Sequence, residues 1–251
     1  MGRESVLMLG GPCALLMQAA HPLVAAGIVD HSRYGEDPWR RLARTMTALY
    51  TIVFGSREQA DRMGAATRAA HRRVAGQRGG KRYSAADPDL QLWVHSTLVD
   101  TGLSMHETYV GRIAPAVAEE FYAQMKVVAS IFGVPAKVHP ATLSDFRAYQ
   151  REMIESGEVR VGEDARAVAR TVLVPPVPLP LRPVLQALAA QSAGLLPPEL
   201  REQYGLRWTR ADRLALFASA RSARGLVPLL PAPLRRTERL PLRLLTALAG
   251  L

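Results

Sequence analysis

The chain has 251 residues, 48% of them hydrophobic and 22% charged, which excludes a disordered polymer and leaves room for a substantial core. A single cysteine, Cys13, excludes an intramolecular disulfide and any cysteine-based zinc cluster, and sets a cytoplasmic location as the expectation. The net charge of +10 is uneven: from residue 201 onward ten arginines stand against three acids, a balance suited to phosphate or anionic lipid.

No helix-turn-helix, zinc-finger or RNA-recognition signature accompanies that charge, so nucleic acid is not expected as a partner. Lysine occurs only at Lys81, Lys126 and Lys137. An arginine bias beside abundant alanine is also what GC-rich coding produces.

Helical spacing is the main signal, and it begins early. Residues 12 to 28 read as one buried apolar helix, bent at Pro22 and ending near Gly27. Gly10, Gly11, Pro12, Gln18, His21 and Pro22 interrupt residues 5 to 28 too often for a membrane span. Arg3 ahead of VLMLGG has the look of a secretion signal, but Glu4 and the helical pattern beyond Ala20 favour a core helix.

Residues 30 to 37 read as a turn, and Pro38 is expected to open a helix that runs to about Phe54, where Gly55 stops it. Leu42, Met46, Leu49 and Val53 are its expected core stripe. Ser56 with Gln59 makes a capping box for a third helix, continuing through His71 and Val74 to Gly76. GQRGGKRYSAADP, 76 to 88, reads as a loop of glycine and turn formers.

Further helices are expected at about 88 to 110, 115 to 132, 142 to 155 (capped by Thr142 or Ser144) and 163 to 172. VPPVPLPLRP, 174 to 183, loses too many donors to be helix or central strand, and becomes a surface connector or a boundary. Helices resume at 183 to 194, 198 to 204 and 209 to 224. From about residue 230 the tail is basic and proline-broken, then amphipathic. No repeat and no strand stands out. The expected fold is all-α: one large irregular helical bundle over residues 1 to 251, with a buried cavity for cofactor or substrate.

There is no GxSxG, no phosphate-cradling glycine loop and no HExxH. Five of the six histidines fall within the first 106 residues: His21, His31, His71, His95 and His106. Either each is a core or cap histidine with one partner, or two or three converge on a metal or haem iron. Arg41 and Thr45, four apart, share a helix face with Arg44 adjacent. Arg41 then snorkels to solvent while Thr45 back-bonds, or the stripe lines a cavity and offers a cation and a hydroxyl to a carboxylate. Spacing leaves both readings open.

Several stretches together carry a resemblance: HPLVAAG at 21 to 27, DHSRY at 30 to 34, RLARTMTALYTIVFGS at 41 to 56, AAHRRVAG at 69 to 76, YSAADPDLQLWVHSTLVD at 83 to 100, LPPELREQYGLRW at 196 to 208 and LPAPLR at 230 to 235. In order and spacing they resemble the oxygenase family named for the mycophenolic-acid biosynthetic oxygenase MpaB, which includes the catalytic domain of latex-clearing rubber oxygenases. The resemblance implies an all-helical fold and, in the rubber-oxygenase branch, haem b and O2-dependent cleavage of carbon–carbon double bonds in isoprenoid chains.

It also implies roles. Arg41 and Thr45 match an arginine–threonine pair lining the haem pocket, and His71 matches the proximal iron ligand, its second nitrogen held by a carbonyl or carboxylate. His95 and His21 are the alternative ligands. The residue before the threonine, a lysine able to close the distal iron position in some rubber oxygenases, is Arg44 here. Arginine stays protonated and ligates iron poorly, which points to an open distal site and away from rubber itself.

The expected protein is thus a haem-dependent oxygenase with Arg41, Arg44 and Thr45 at the reacting centre. Its hydrophobic substrate would lie against Leu42, Met46, Leu49 and the 88 to 110 helix. The alternative is a non-catalytic helical protein of the same fold that binds a hydrophobic ligand or docks on a membrane through its basic tail.

Overall fold

A proline beside a histidine sets the first corner of the chain. The computed structural model describes residues 4–32, 38–175, 178–231 and 236. Its first helix, α1 (Gly11–Ala20), follows a 3-10 turn at Ser5–Gly10, and α2 (Pro22–His31) leaves it at a bend of 107°. The expected single bent helix is therefore two helices, and the second runs past Gly27 to His31. Pro22 occupies the first position of α2, where its missing N–H costs nothing. His21 is the N-cap, its Nδ1 accepting from the Leu23 amide at 3.2 Å.

Side chains from distant helices bond carbonyls near the end of α1. Trp93 donates its indole N–H to the Met17 carbonyl at 3.2 Å, and Tyr204 its hydroxyl to the Leu16 carbonyl at 2.7 Å. Cys13, Leu16, Met17 and Ala20 are buried with Trp93, Val159 and Leu200, so α1 is a core helix. Among the described residues no single helix is long and apolar enough to cross a membrane.

α3 (Pro38–Phe54) and α4 (Arg57–His71) form the next layer, and Ser56 and Gln59 make the capping box read from the sequence. The chain then departs from expectation. α4 stops at His71, and the presumed loop contains an antiparallel hairpin of β1 (Ala75–Arg78) and β2 (Lys81–Ser84), with Gly76 opposite Tyr83 and Arg78 opposite Lys81. Gly79 and Gly80 make the turn possible: both have positive φ, +57° and +79°, as a tight two-residue connection matched to strand twist requires.

α5 (Pro88–Tyr109) is the central helix, buried at Leu90, Trp93, Val99, Leu103 and Met105 along its length. α6 (Pro115–Phe132) and α7 (Leu143–Glu155) pack Phe121, Tyr122, Leu143 and Phe146 against it. α8 (Glu163–Leu173), α9 (Arg182–Leu195), α10 (Pro198–Gln203) and α11 (Arg210–Leu226) complete an all-α architecture close to the boundaries read from periodicity.

The stripe assigned to α3 needs correction. Leu42 and Val53 are 43% and 45% exposed, whereas Ala43 and Ile52 are buried among the described side chains of that helix. α3 lies over a cavity rather than on a packed layer, and periodicity alone cannot separate those two surroundings. In the 174 to 183 segment, Leu179–Leu181 forms a 3-10 turn between α8 and α9. Apart from Leu230, Pro231 and Arg236, the basic tail lies outside the described residues, and with it the amphipathic segment expected to meet a membrane.

Candidate functional site

A cavity of about 370 Å³ opens between α2, α3, α4, the hairpin and α5. Its wall is largely apolar, including Ile28, Leu49, Val94, Leu98 and Phe132, with a few polar side chains set into it. Leu49 and the α5 side chains Leu90, Val94 and Leu98 are on the wall as the sequence suggested; Leu42 and Met46 are not.

His71, the last residue of α4, is on this wall. Its Nδ1 is sealed from solvent with no hydrogen-bond partner, and burial pushes the imidazole pKa down, so the ring is neutral at neutral pH. The carbonyl or carboxylate expected on its second nitrogen is not found among the described residues.

Close packing fixes α4, and hence His71. A Cβ at Gly64 would come within 2.6 Å of Ile131 Cγ2 and 2.7 Å of its carbonyl, so glycine lets α4 approach the end of α6. Arg68 donates to that same Ile131 carbonyl, one turn before His71.

Arg41 and Thr45 also line the cavity, from α3. Arg44 does not: it is exposed and outside the wall. The helix geometry explains the split, since a residue four on lies about 40° around the axis from Arg41 and a residue three on lies about 60° to the other side. Ala48 and Leu49 extend the stripe of Arg41 and Thr45.

The remaining histidines separate clearly. His95 is on the wall, only 5% exposed, with Nε2 sealed and unpartnered. Burial drives its pKa down to about 3, helped by His139 and opposed by a main-chain hydrogen bond with Met125. His139 meets it edge-on, ring centroids 6.0 Å apart, and both His139 nitrogens are sealed without partners. His31 is on the wall too, but its Nε2 bonds the Ala75 carbonyl at 3.0 Å.

His21, expected as an alternative iron ligand, lies off the wall; Nδ1 caps α2 and Nε2 stands 3.7 Å from Glu158. His106 bonds the Gly111 carbonyl at 3.3 Å, also away from the cavity. Among the described residues no three His, Cys, Asp or Glu side chains are grouped to hold a metal ion.

Two features escaped the sequence reading, one on the wall and one behind it. Tyr83 is buried and donates its hydroxyl to Asp30 at 2.6 Å; burial and that carboxylate push the phenol up to about 12. His139 stands just behind His95. Only the YSAADP stretch hinted at Tyr83, and nothing local marked His139.

The sequence matches the family model described as "ER-bound oxygenase mpaB/B'/Rubber oxygenase, catalytic domain" over residues 1–242. The chain belongs to that family. Two relatives, an uncharacterized protein of Mycobacterium bovis and one of Mycobacterium tuberculosis, are each 28% identical over 207 residues, covering 79% of this chain and 80% of theirs. No solved structure matches. Membership of the mpaB/rubber-oxygenase family supports an oxygenase in general, an oxidoreductase that uses O2 and a small molecule. In this mpaB-type domain the apolar cavity of about 370 Å³ offers such a molecule a place.

Proposed function

We propose that the protein is a haem-dependent oxygenase acting on a hydrophobic, isoprenoid-like small molecule, with haem b ligated through His71. One observation carries the reading: a neutral imidazole stands on the wall of a mostly apolar cavity, and among the described residues no hydrogen bond ties it elsewhere. An imidazole so placed is committed to nothing else. A bare iron ion needs several protein ligands grouped together, and none are grouped among the described residues. Iron already held by a porphyrin needs only one or two.

The rest of the wall fits the same group. Arg41 is a permanent cation among apolar neighbours and suits a propionate carboxylate. Thr45, on the same face, offers a hydroxyl that can donate to a second acceptor. When bound, haem supplies the activation of O2.

The chain's own residues bind, orient and shield. Leu49, Val94, Leu98 and Phe132 hold an apolar chain by burying it and keep water from the reacting carbon atoms. Arg44, outside the wall, takes no part.

Protein produced with added haem and assayed for iron, for a Soret band and for O2 uptake with squalene as an apolar polyene tests the proposal. Near-stoichiometric haem, a Soret band and polyene-dependent O2 uptake are expected. Purified protein without a Soret band removes the haem reading and leaves a hydrophobic-ligand binder of the same fold.

A further inference from the structure

Three sealed ring nitrogens, one on a wall residue of the cavity and two on the residue packed against it, have no hydrogen-bond partner. They are Nε2 of His95 and both nitrogens of His139, the residue that follows the 3-10 turn at Ala136–Val138. The two rings stand almost perpendicular, at 85°, with centroids 6.0 Å apart. Enclosed polar atoms normally find a partner in protein, water or ligand, because leaving them bare costs as much as losing a hydrogen bond. Three orphans in one place mark a site rather than a packing accident.

The neighbours decide what the site would take. The Met125 main chain bonds the His95 ring, and with Nε2 unpartnered that bond belongs to Nδ1. Nδ1–H donates to the carbonyl, so Nε2 presents a lone pair. Neutral His139 carries one N–H and one lone pair. A group that met His95 from the cavity and His139 behind it would therefore donate to the first and accept from the second.

A hydroxyl does both; an ether or a hydrocarbon does not. A cation is opposed, because the Lys126 charge already acts on His139. A proton relay fails because the Met125 carbonyl has no proton to pass on.

His95 is itself part of the cavity wall, so a ligand meets it from inside the cavity. We propose that His95 and His139 form a hydroxyl-recognising subsite, and that the substrate is an apolar chain bearing a hydroxyl group. The proposal deepens the functional reading above: it rests on the cavity as substrate site but not on haem, and it leaves iron to His71 alone.

Decan-1-ol and its isomer 1-methoxynonane, equal in size but differing in the O–H donor, test it by calorimetric titration of the haem-free full chain. The alcohol is expected to bind about tenfold more tightly, as one net hydrogen bond provides. His95→Phe and His139→Phe should each abolish the preference while still binding the ether.

In the wild-type protein, the nitrogen-15 resonance of His95 Nε2 should shift with the alcohol and not with the ether, a readout independent of whether the variants fold. Equal affinities, binding of neither compound, a preference surviving both substitutions or an unmoved resonance would each overturn the subsite. The haem proposal fails separately, by the absence of a Soret band.

Discussion

Tyr83 donates its phenolic hydrogen to Asp30 over 2.6 Å, joining the second strand of the hairpin to the last turn of α2. Arg78 bonds the same Asp30 carboxylate and reaches Asp164 at 3.2 Å, so the hairpin is tied to α8 as well. Because Tyr83, Ser84 and Ala85 form part of the cavity wall, these contacts hold one side of the site in place. Tyr83→Phe keeps the ring and removes only the hydrogen bond. It should cost about 1 kcal/mol in urea unfolding and speed amide exchange across the Gly76–Tyr83 pair.

At Gly64, α4 lies close against the end of α6. Gly64→Ala would drive a methyl group into Ile131, whose backbone carbonyl cannot swing aside. A loss of about 1–3 kcal/mol is expected from the overpacking. Haem affinity should fall with it, because the displaced helix carries His71; unchanged values of both would show that α4 is not positioned by this contact.

Arg41 and Arg44 differ by less than a turn of helix but face different surroundings. Arg41→Ala should weaken haem binding about tenfold or more, the scale of a charge-assisted hydrogen bond in an apolar wall. Arg44→Ala should change it less than twofold. Titration of the two variants with haem measures both, and a larger effect at Arg44 would reverse the assignment.

Acid should destabilise the protein. The folded pKa of His95 lies near 3, and those of His21, His71 and His139 are also lowered by burial, against about 6.5 unfolded. Below about pH 6.5 the unfolded chain binds more protons, so stability falls as pH falls toward the folded values. His95 alone accounts for about 2 kcal/mol between pH 6.5 and 5. Asp100 opposes this, since burial raises its carboxyl from 3.8 to about 6 and its stabilising effect is lost as pH rises through that interval. Urea unfolding at pH 7 and pH 5 should show a smaller acid loss in His95→Leu than in wild type, and a larger one in Asp100→Asn.

What the sequence could say was what sits close together along it. Ser56 with Gln59 announces a helix start through residues three apart, and of the two caps read for α7, Thr142 or Ser144, Thr142 is the one the structure uses. The hairpin was obscured because AGQR and KRYS show no apolar alternation; only Tyr83 turns inward, and the Gly79–Gly80 pair reads equally well as loop. α3 misled for a different reason: its apolar residues repeat at helical spacing, yet Leu42 and Val53 face outward while Arg41 and Thr45 face the cavity.

The pairing of His95 with His139 spans 44 residues and arises only from how α5 packs on α6 and the segment after it. His71 lay between these extremes. Its place at the end of a helix was readable, while its freedom from partners was not.

The most direct test compares absorption spectra of wild-type protein and His71→Ala, each purified after expression with added haem and checked for folding by circular dichroism. Loss of the Soret band in the variant, with helical signal intact and the band restored by added imidazole, is the predicted result. A variant that keeps the wild-type Soret spectrum would contradict ligation by His71 and move the iron elsewhere on the wall.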